Sequence, residues 1–264
     1  MLKLIASDID GTLLPPGGKS PSPELVEVLT KYLDSGAIVT LASGRPLSGL
    51  VGIFPTLKDR LTYICSNGTH IAHRGDTASV SPLATGAELA DLLRIVRSLR
   101  CDFMVDTTED TLVEKSISAK AYQAIAASGI RVRTVEDISV TPLPALKVSI
   151  ACPGDPASLM KRPDIARLAD KYTLVTTGNV FFDITTKDID KGTAVVALQR
   201  RFGIKPEETI VFGDAMNDVP MFSTTPNSYA VDNAADSVRA QAAHTILPPE
   251  RDGVAKCLLE WRTA

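Results

Sequence analysis

The chain has 264 residues, 44% hydrophobic and 22% charged, and its 28 basic and 31 acidic side chains give a formal net charge of −3. That composition excludes wholesale disorder and leaves room for one large domain or two smaller ones. The slight acidic excess offers no basic tract for nucleic acid or an anionic membrane surface, and no apolar run reaches the roughly 20 residues that span a bilayer, so the expected setting is cytoplasmic and the expected partner a small molecule.

Leu2 to Ser7 is a short apolar run ending in a carboxylate-rich turn, the pattern of a buried parallel strand whose carboxyl end opens onto a site. A helix follows: Ser22 is placed to cap it, Pro23 suits its first turn and Glu24 its dipole. Leu25, Val26, Leu29 and Leu33 share one face until Gly36 stops it. Ala37 to Ala42 and Leu61 to Cys65 read as two more buried strands, closed by Ser43-Gly44-Arg45-Pro46 and Ser66-Asn67-Gly68. From Pro82 to Thr186 the texture changes: a helical stretch at Glu88 to Leu99, β-rich segments at Leu112 to Ser116 and Ala145 to Ala151, and an amphipathic stretch from Leu159 to Leu168. Alternation resumes at Lys191, with a helix over Gly192 to Phe202 and a strand at Thr209 to Phe212 ending in Gly213-Asp214. Strand, helix and strand then follow around Tyr229 and Val231, Ala234 to Ala242, and Thr245 to Leu247, before a last helix from Val254 to Trp261. Strands alternating with helices predict an α/β fold, a Rossmann-like parallel sheet with right-handed crossovers, interrupted by an inserted α+β domain. Ligands of such sheets bind outside the carboxyl ends of the strands, where these polar turns fall. The four cysteines, Cys65, Cys101, Cys152 and Cys257, form no CxxC pair, which predicts reduced and mostly buried thiols.

Asp8-Ile9-Asp10-Gly11-Thr12 places two carboxylates two residues apart after a strand, so an extended backbone aims both the same way, with Gly11 permitting a sharp turn. By chance the pattern arises on the order of once per thousand chains of this size, and its bland reading is an Asx turn. Two carboxylates this close repel unless a cation or hydrogen bonds compensate, and Mg²⁺ suits an all-oxygen cluster. Gly213-Asp214-Ala215-Met216-Asn217-Asp218 brings more hard oxygen ligands to a second strand end, although Asp and Asn are also ordinary helix caps. Ser43 and Gly44 offer a hydroxyl and a backbone N–H at a third. Lys191 opens a helix whose N-terminus favours anions, against the usual fate of lysine at the surface. Together these are the parts of phosphoryl transfer through an aspartyl-phosphate: a carboxylate nucleophile, a metal, a lysine, and hydroxyl and amide donors.

In this order and spacing the motifs resemble those of the haloacid dehalogenase superfamily, in particular its Cof-type branch of small-molecule phosphatases, whose large α+β cap is inserted after the third strand. The resemblance runs through Asp8 to Thr12, Ser43 in Leu41-Ala42-Ser43-Gly44-Arg45, Lys191 in Asp190-Lys191-Gly192, and Gly213 to Asp218, with Ser66-Asn67-Gly68 matching a further turn of the branch. It covers essentially the whole chain, and implies a catalytic core over residues 1–82 and 187–264 and a substrate-specificity cap over 83–186. It further implies that Asp8 is the nucleophile and that Asp10 protonates the leaving oxygen and then activates water. Mg²⁺ would be held by Asp8, the backbone carbonyl of Asp10 and Asp214, with Asp218 supporting them, while Ser43, Gly44, Lys191 and Asn217 contact the phosphoryl group. The implied activity is hydrolysis of a small phosphorylated metabolite, a sugar phosphate foremost; dehalogenases of the superfamily lack the carboxylate found here as Asp10. The rivals are a phosphomutase, whose usual cap is smaller and helical, and a phosphosugar-binding or regulatory protein without turnover.

Some residues depart from the family pattern. Asp188 and Asp190 add acids just ahead of Lys191, and Asp232 stands where methionine and glycine are commoner. The loop Pro15 to Lys19 reads equally as the superfamily's flap or as a plain surface loop. In the insertion, Lys115, Lys120, Arg131, Arg133 and Lys147 could reach an anionic or polyol substrate but read first as a solvated face. His70 and His73 lack a third matched metal ligand, and Phe181, Phe182 and Trp261 read as packing.

Overall fold

The computed structural model of the chain describes residues 2–18, 20–74, 76–151, 156–177 and 181–263. The chain divides into two compact units, one from residues 1–44, 50–78 and 190–264, the other from 45–49 and 79–189. In chain order the strands are β1 (Leu4–Ser7), β2 (Ile38–Ala42), β3 (Thr62–Cys65), β4 (His70–His73), β5 (Asp76–Val80), β6 (Asp102–Asp106), β7 (Thr111–Glu114), β8 (Val132–Val135), β9 (Lys147–Ala151), β10 (Tyr172–Thr177), β11 (Phe181–Thr186), β12 (Thr209–Gly213), β13 (Asn227–Val231) and β14 (His244–Ile246). The helices are α1 (Pro23–Asp34), α2 (Gly86–Ser98), α3 (Ala119–Ala127), α4 (Pro156–Leu159), α5 (Pro163–Ala166), α6 (Lys191–Phe202), α7 (Val219–Phe222), α8 (Asp236–Arg239) and α9 (Gly253–Thr263). Among the described residues, one sheet has the order β14-β13-β12-β1-β2-β3-β4-β5 and the other β10-β11-β9-β6-β7-β8.

In the larger unit β14 through β3 are parallel neighbours, and β4 returns antiparallel to β3. Ser7 lies beside both Leu41 and Phe212, and Ala42 beside Ile64, so β1, β2, β3 and β12 end along one edge of the sheet. One sheet face, with Leu4, Ala6, Ala42, Ile64 and Val211, packs on Ala194, Val195 and Leu198 of α6. Ser22 caps α1 by accepting from Leu25 N–H at 3.1 Å. The helix buries Leu25, Val28, Leu29, Tyr32 and Leu33, each worth roughly 1.5–3 kcal/mol for the larger aliphatic ones. Val26 lies at the edge of this stripe rather than within it, because Val28 and Tyr32 complete the face. Ala234 to Ala242, expected as a helix, contains only the single turn α8.

The inserted unit's sheet has one apolar face, where Phe103, Val105, Val148, Ile150, Phe182 and Ile184 meet Leu89, Leu92, Leu93 and Val96 of α2. Because side chains alternate along a strand, the other face carries Asp106, Lys147, Ser149, Asp183 and Thr185, all buried. Lys147 is therefore not part of a solvated face. Its ammonium pairs with Asp106 at 3.2 Å, whereas Lys115, Arg131 and Arg133 form exposed ion pairs with Glu136 and Asp110. The stretch Leu159 to Leu168 is broken: Pro163 holds Arg162 extended and starts a new turn, α5, instead of continuing a helix. Cys65 and Cys257 are buried, Cys101 is half-buried, and Cys152 lies outside the described residues. No helix among those residues is long and apolar enough to cross a membrane.

Candidate active site

After β1 the chain turns at once. The carbonyl of Ile9 accepts from the N–H groups of Leu13 and Leu14 at 3.0 and 2.8 Å, and Gly11 N–H donates to Leu14 at 2.7 Å. Gly11 sits at φ +97°, and a Cβ there would lie 2.4 Å from Asp214 Oδ2. Only glycine gives both the left-handed turn and the room for that carboxylate. The turn leaves Asp8 buried and Asp10 exposed, so the two carboxylates of this motif occupy different environments. Thr12, to which the sequence attached no role, is buried and donates to Asp214 Oδ1 at 2.8 Å.

Lys191 is the first residue of α6 and is fully buried. Asp190 caps that helix, accepting from Thr193 N–H at 2.7 Å, so its carboxylate serves the α6 N-terminus. The Lys191 ammonium donates to Asp8 Oδ1 at 2.5 Å and to Asp218 Oδ1 at 2.6 Å. The second oxygen of Asp218 accepts from the N–H groups of Asp214 and Ala215, both at 3.0 Å. Asp218 thereby holds Lys191 with one oxygen and the Asp214 backbone with the other. One carboxylate oxygen from each of Asp8, Asp214 and Asp218 lies within 4.8 Å of the others. No histidine belongs to this group, His73 being engaged with Thr62 at 2.7 Å.

The charges shape one another. Burial raises the Asp8 carboxyl well above the ordinary carboxylate range; Lys191 opposes this, and Asp218 and Asp214 reinforce it. Burial also raises Asp214, with the Thr12 hydroxyl easing the shift, Asp218 adding to it and a hydrogen bond to Asp8 easing it again. Burial pulls Lys191 down, but Asp218 and Asp8 outweigh it and hold the ammonium above its ordinary value.

The remaining candidates lie on neighbouring turns. Ser43, buried, donates its N–H to Ile64 at 2.9 Å and accepts at its carbonyl from Asn67 N–H at 3.0 Å. Asn217 is half-buried, and its Nδ2 donates to Asn67 Oδ1 at 3.1 Å. The structure thus gathers Asp8, Lys191, Asp214 and Asp218 into direct contact, links Asn217 to the Ser43 turn through Asn67, and leaves the Asp10 side chain outside the carboxylate cluster. The role of Asn67 had one local signal, an Asn-Gly pair at a strand end. Of the turn after the first motif, Pro15 to Gly18 closes through Gly18 N–H to Pro15 at 2.8 Å, and Lys19 lies outside the described residues. Phe182 is core, and Trp261 donates to the Tyr229 hydroxyl at 3.1 Å.

Comparison with known proteins gives matches along the whole chain. Residues 5–258 match the haloacid dehalogenase-like hydrolase family. An HMP-PP phosphatase from Serratia proteamaculans is 26% identical over 99% of this chain and 96% of its own. The 5-amino-6-(5-phospho-D-ribitylamino)uracil phosphatase YbjI of Escherichia coli is 23% identical over 96% of this chain and 93% of its own. A crystal structure from Eubacterium rectale has a TM-score of 0.90 at 30% identity, covering 98% of this chain and 99% of that one.

Proposed function

The chain belongs to the haloacid dehalogenase-like hydrolase family, and on that premise we propose that it is a Mg²⁺-dependent phosphatase of small phosphorylated metabolites, sugar phosphates foremost, working through an aspartyl-phosphate on Asp8. The observation that carries this reading is the buried contact between Lys191 Nζ and Asp8 Oδ1 at 2.5 Å. It fixes a carboxylate in one orientation and sets a permanent positive charge beside the atom that would attack phosphorus.

The donor set suits a hard divalent cation. Asp8 and Asp214 are both raised by burial and belong to one carboxylate cluster, and added positive charge there favours their ionised forms. Asp8, Asp214 and the backbone carbonyl of Asp10 would hold Mg²⁺, with Asp218 bracing the Asp214 backbone. Bound there, the ion supplies positive charge to the oxygens of the transferring group.

The protein's own groups account for the steps. An Asp8 oxygen attacks phosphorus as the bond to the leaving oxygen breaks, and Asp10 gives that oxygen a proton. Asp10 then takes a proton from the water that attacks phosphorus, freeing Asp8 and phosphate. Ser43, the Gly44 amide, Lys191 and Asn217 bind the phosphoryl oxygens. Recognition of the leaving group is assigned to the inserted segment, residues 83–186. The two named relatives carry different substrates in their names, which supports the class of small phosphorylated metabolites above any single member.

Phosphate release from p-nitrophenyl phosphate and a panel of sugar phosphates tests the reading. Asp8→Asn, purified folded, is expected to lose at least about 10³-fold in kcat. Wild-type turnover by that variant, or no turnover of any phosphomonoester by the wild type with Mg²⁺, would sink it.

A further inference from the structure

Three consecutive residues after β3 have positive φ: Ser66 at 47°, Asn67 at 57° and Gly68 at 106°. Residues with side chains seldom adopt this conformation, and two in a row persist only where their surroundings hold them. Those surroundings are the other turns of the site. Asn67 N–H donates to the Ser43 carbonyl at 3.0 Å while Ser43 N–H donates to Ile64 at 2.9 Å, so Ser43 hangs from the β3 end by both of its backbone groups. A Cβ on Gly44 would lie 3.2 Å from Asn67 Oδ1, and one on Gly68 only 2.2 Å from the carbonyl oxygen of Asp190, the residue before Lys191. The Asn67 side chain in turn accepts from Asn217 Nδ2 at 3.1 Å. One three-residue turn therefore touches the segments that carry Ser43, Lys191 and Asn217, although no catalytic step uses it.

We propose that Asn67 is a positioning residue: its carbonyl oxygen holds one N–H of the Asn217 amide and so presents the other to the phosphoryl group. An amide nitrogen has two N–H donors, and fixing one fixes the direction of the second. Asparagine suits the place because it tolerates the left-handed conformation and carries the acceptor on a short arm. The proposal rests on the phosphatase reading above.

Asn67→Gly tests it, because glycine keeps the backbone conformation and deletes only the amide. The variant is expected to stay folded by near-UV circular dichroism, to lose about tenfold in kcat/KM on p-nitrophenyl phosphate, and to bind inorganic phosphate more weakly by a similar factor. Asn217→Ala is expected to behave alike, and the double variant to fall little below the weaker single variant, since one interaction is removed in each case. Fully multiplicative losses, or a glycine variant with the wild-type Ki for phosphate, would overturn the proposal. So would a loss explained entirely by a smaller folded fraction, with KM and Ki unchanged in the molecules that remain folded. A wild-type protein that hydrolyses no phosphomonoester overturns the phosphatase reading itself, and this proposal with it.

Discussion

Lys191 Nζ lies 2.5 Å from Asp8 Oδ1, with the lysine side chain wholly withdrawn from solvent and its ammonium shared with Asp218 at 2.6 Å. Removing one partner of a buried pair leaves the others as uncompensated charges, and here one cation serves two carboxylates. Lys191→Met is thus expected to destabilise the protein by about 3 kcal/mol in urea unfolding without metal. Its kcat is expected to fall about 10²- to 10³-fold, as for loss of a fixed charge at the transferring group. A variant as stable as wild type would mean that the ammonium does not hold Asp8 and Asp218 in place.

Asp8 and Asp214 make metal binding and pH act on the same groups. Burial raises both carboxyls. Their folded-state values therefore lie above the unfolded ones, and at these two groups the metal-free native state binds more protons than the unfolded chain. Their contribution to stability rises as pH falls from neutral through the folded-state values, and the gain ends near about pH 4, where the unfolded carboxylates protonate too. Mg²⁺ competes with those protons. At roughly a hundred times its Kd it is expected to add about 2.7 kcal/mol at pH 8, and less toward pH 5. Asp214→Asn is expected to weaken both effects, and comparing its unfolding curves with those of wild type isolates them from the remaining titrating groups. A Mg²⁺ gain that is the same at both pH values would contradict this account.

How much of this could be read beforehand depended on how local the cause was. β1, β2, β3 and β12 are short, buried, mostly apolar runs that end at Ser or Gly, and α1 announces itself through Ser22 and Pro23, so their causes lie within a few residues. The strands of the inserted unit are harder to read. β10 and β11 are rich in threonine, and the acids and lysine on β6, β9 and β11 look like surface residues until alternation places them on one buried face. Within the site, Thr12 and Asp214 are 202 residues apart, and Asn67 and Asn217 are 150 apart. Such contacts arise from the register of distant strands, and no local spacing encodes them. Asp190 stands just ahead of Lys191 as the sequence shows, and its capping of α6 is visible only once the helix is formed.

Gly11 separates backbone strain from site geometry. At φ +97°, with Asp214 Oδ2 only 2.4 Å from where a Cβ would stand, alanine must leave its preferred conformation and also displace a carboxylate of the cluster. Gly11→Ala is expected to cost about 1–2 kcal/mol of stability and to weaken Mg²⁺ binding at least about tenfold in titration calorimetry. Gly203→Ala is the control: its φ is +63° with nothing within 4 Å, so it should carry a similar strain and leave Mg²⁺ affinity unchanged. Equal metal affinity in the two variants would show that Asp214 does not depend on the Gly11 turn.

Lys147 gives the inserted unit a buried charge of its own. It is 6% exposed, its Nζ lies 3.2 Å from Asp106 Oδ2, and Asp106 Oδ1 accepts from the Thr111 hydroxyl at 2.7 Å. Burial pulls the ammonium down, but Asp106 and Asp183 raise it above its ordinary value. A lysine raised in the folded state contributes stability that is fully present below its unfolded value, about pH 10.4, and is lost only as pH climbs through the folded one. Lys147→Met is accordingly expected to lose about 3 kcal/mol, and by nearly the same amount at every pH from about 6 to about 9. Arg131 pairs with Asp110 while 68% exposed, and Arg131→Ala should stay within about 0.5 kcal/mol of wild type. Urea unfolding of the three proteins across that pH range checks both. If Lys147→Met tracked Arg131→Ala throughout, the buried pair would contribute no more than an ordinary surface ion pair.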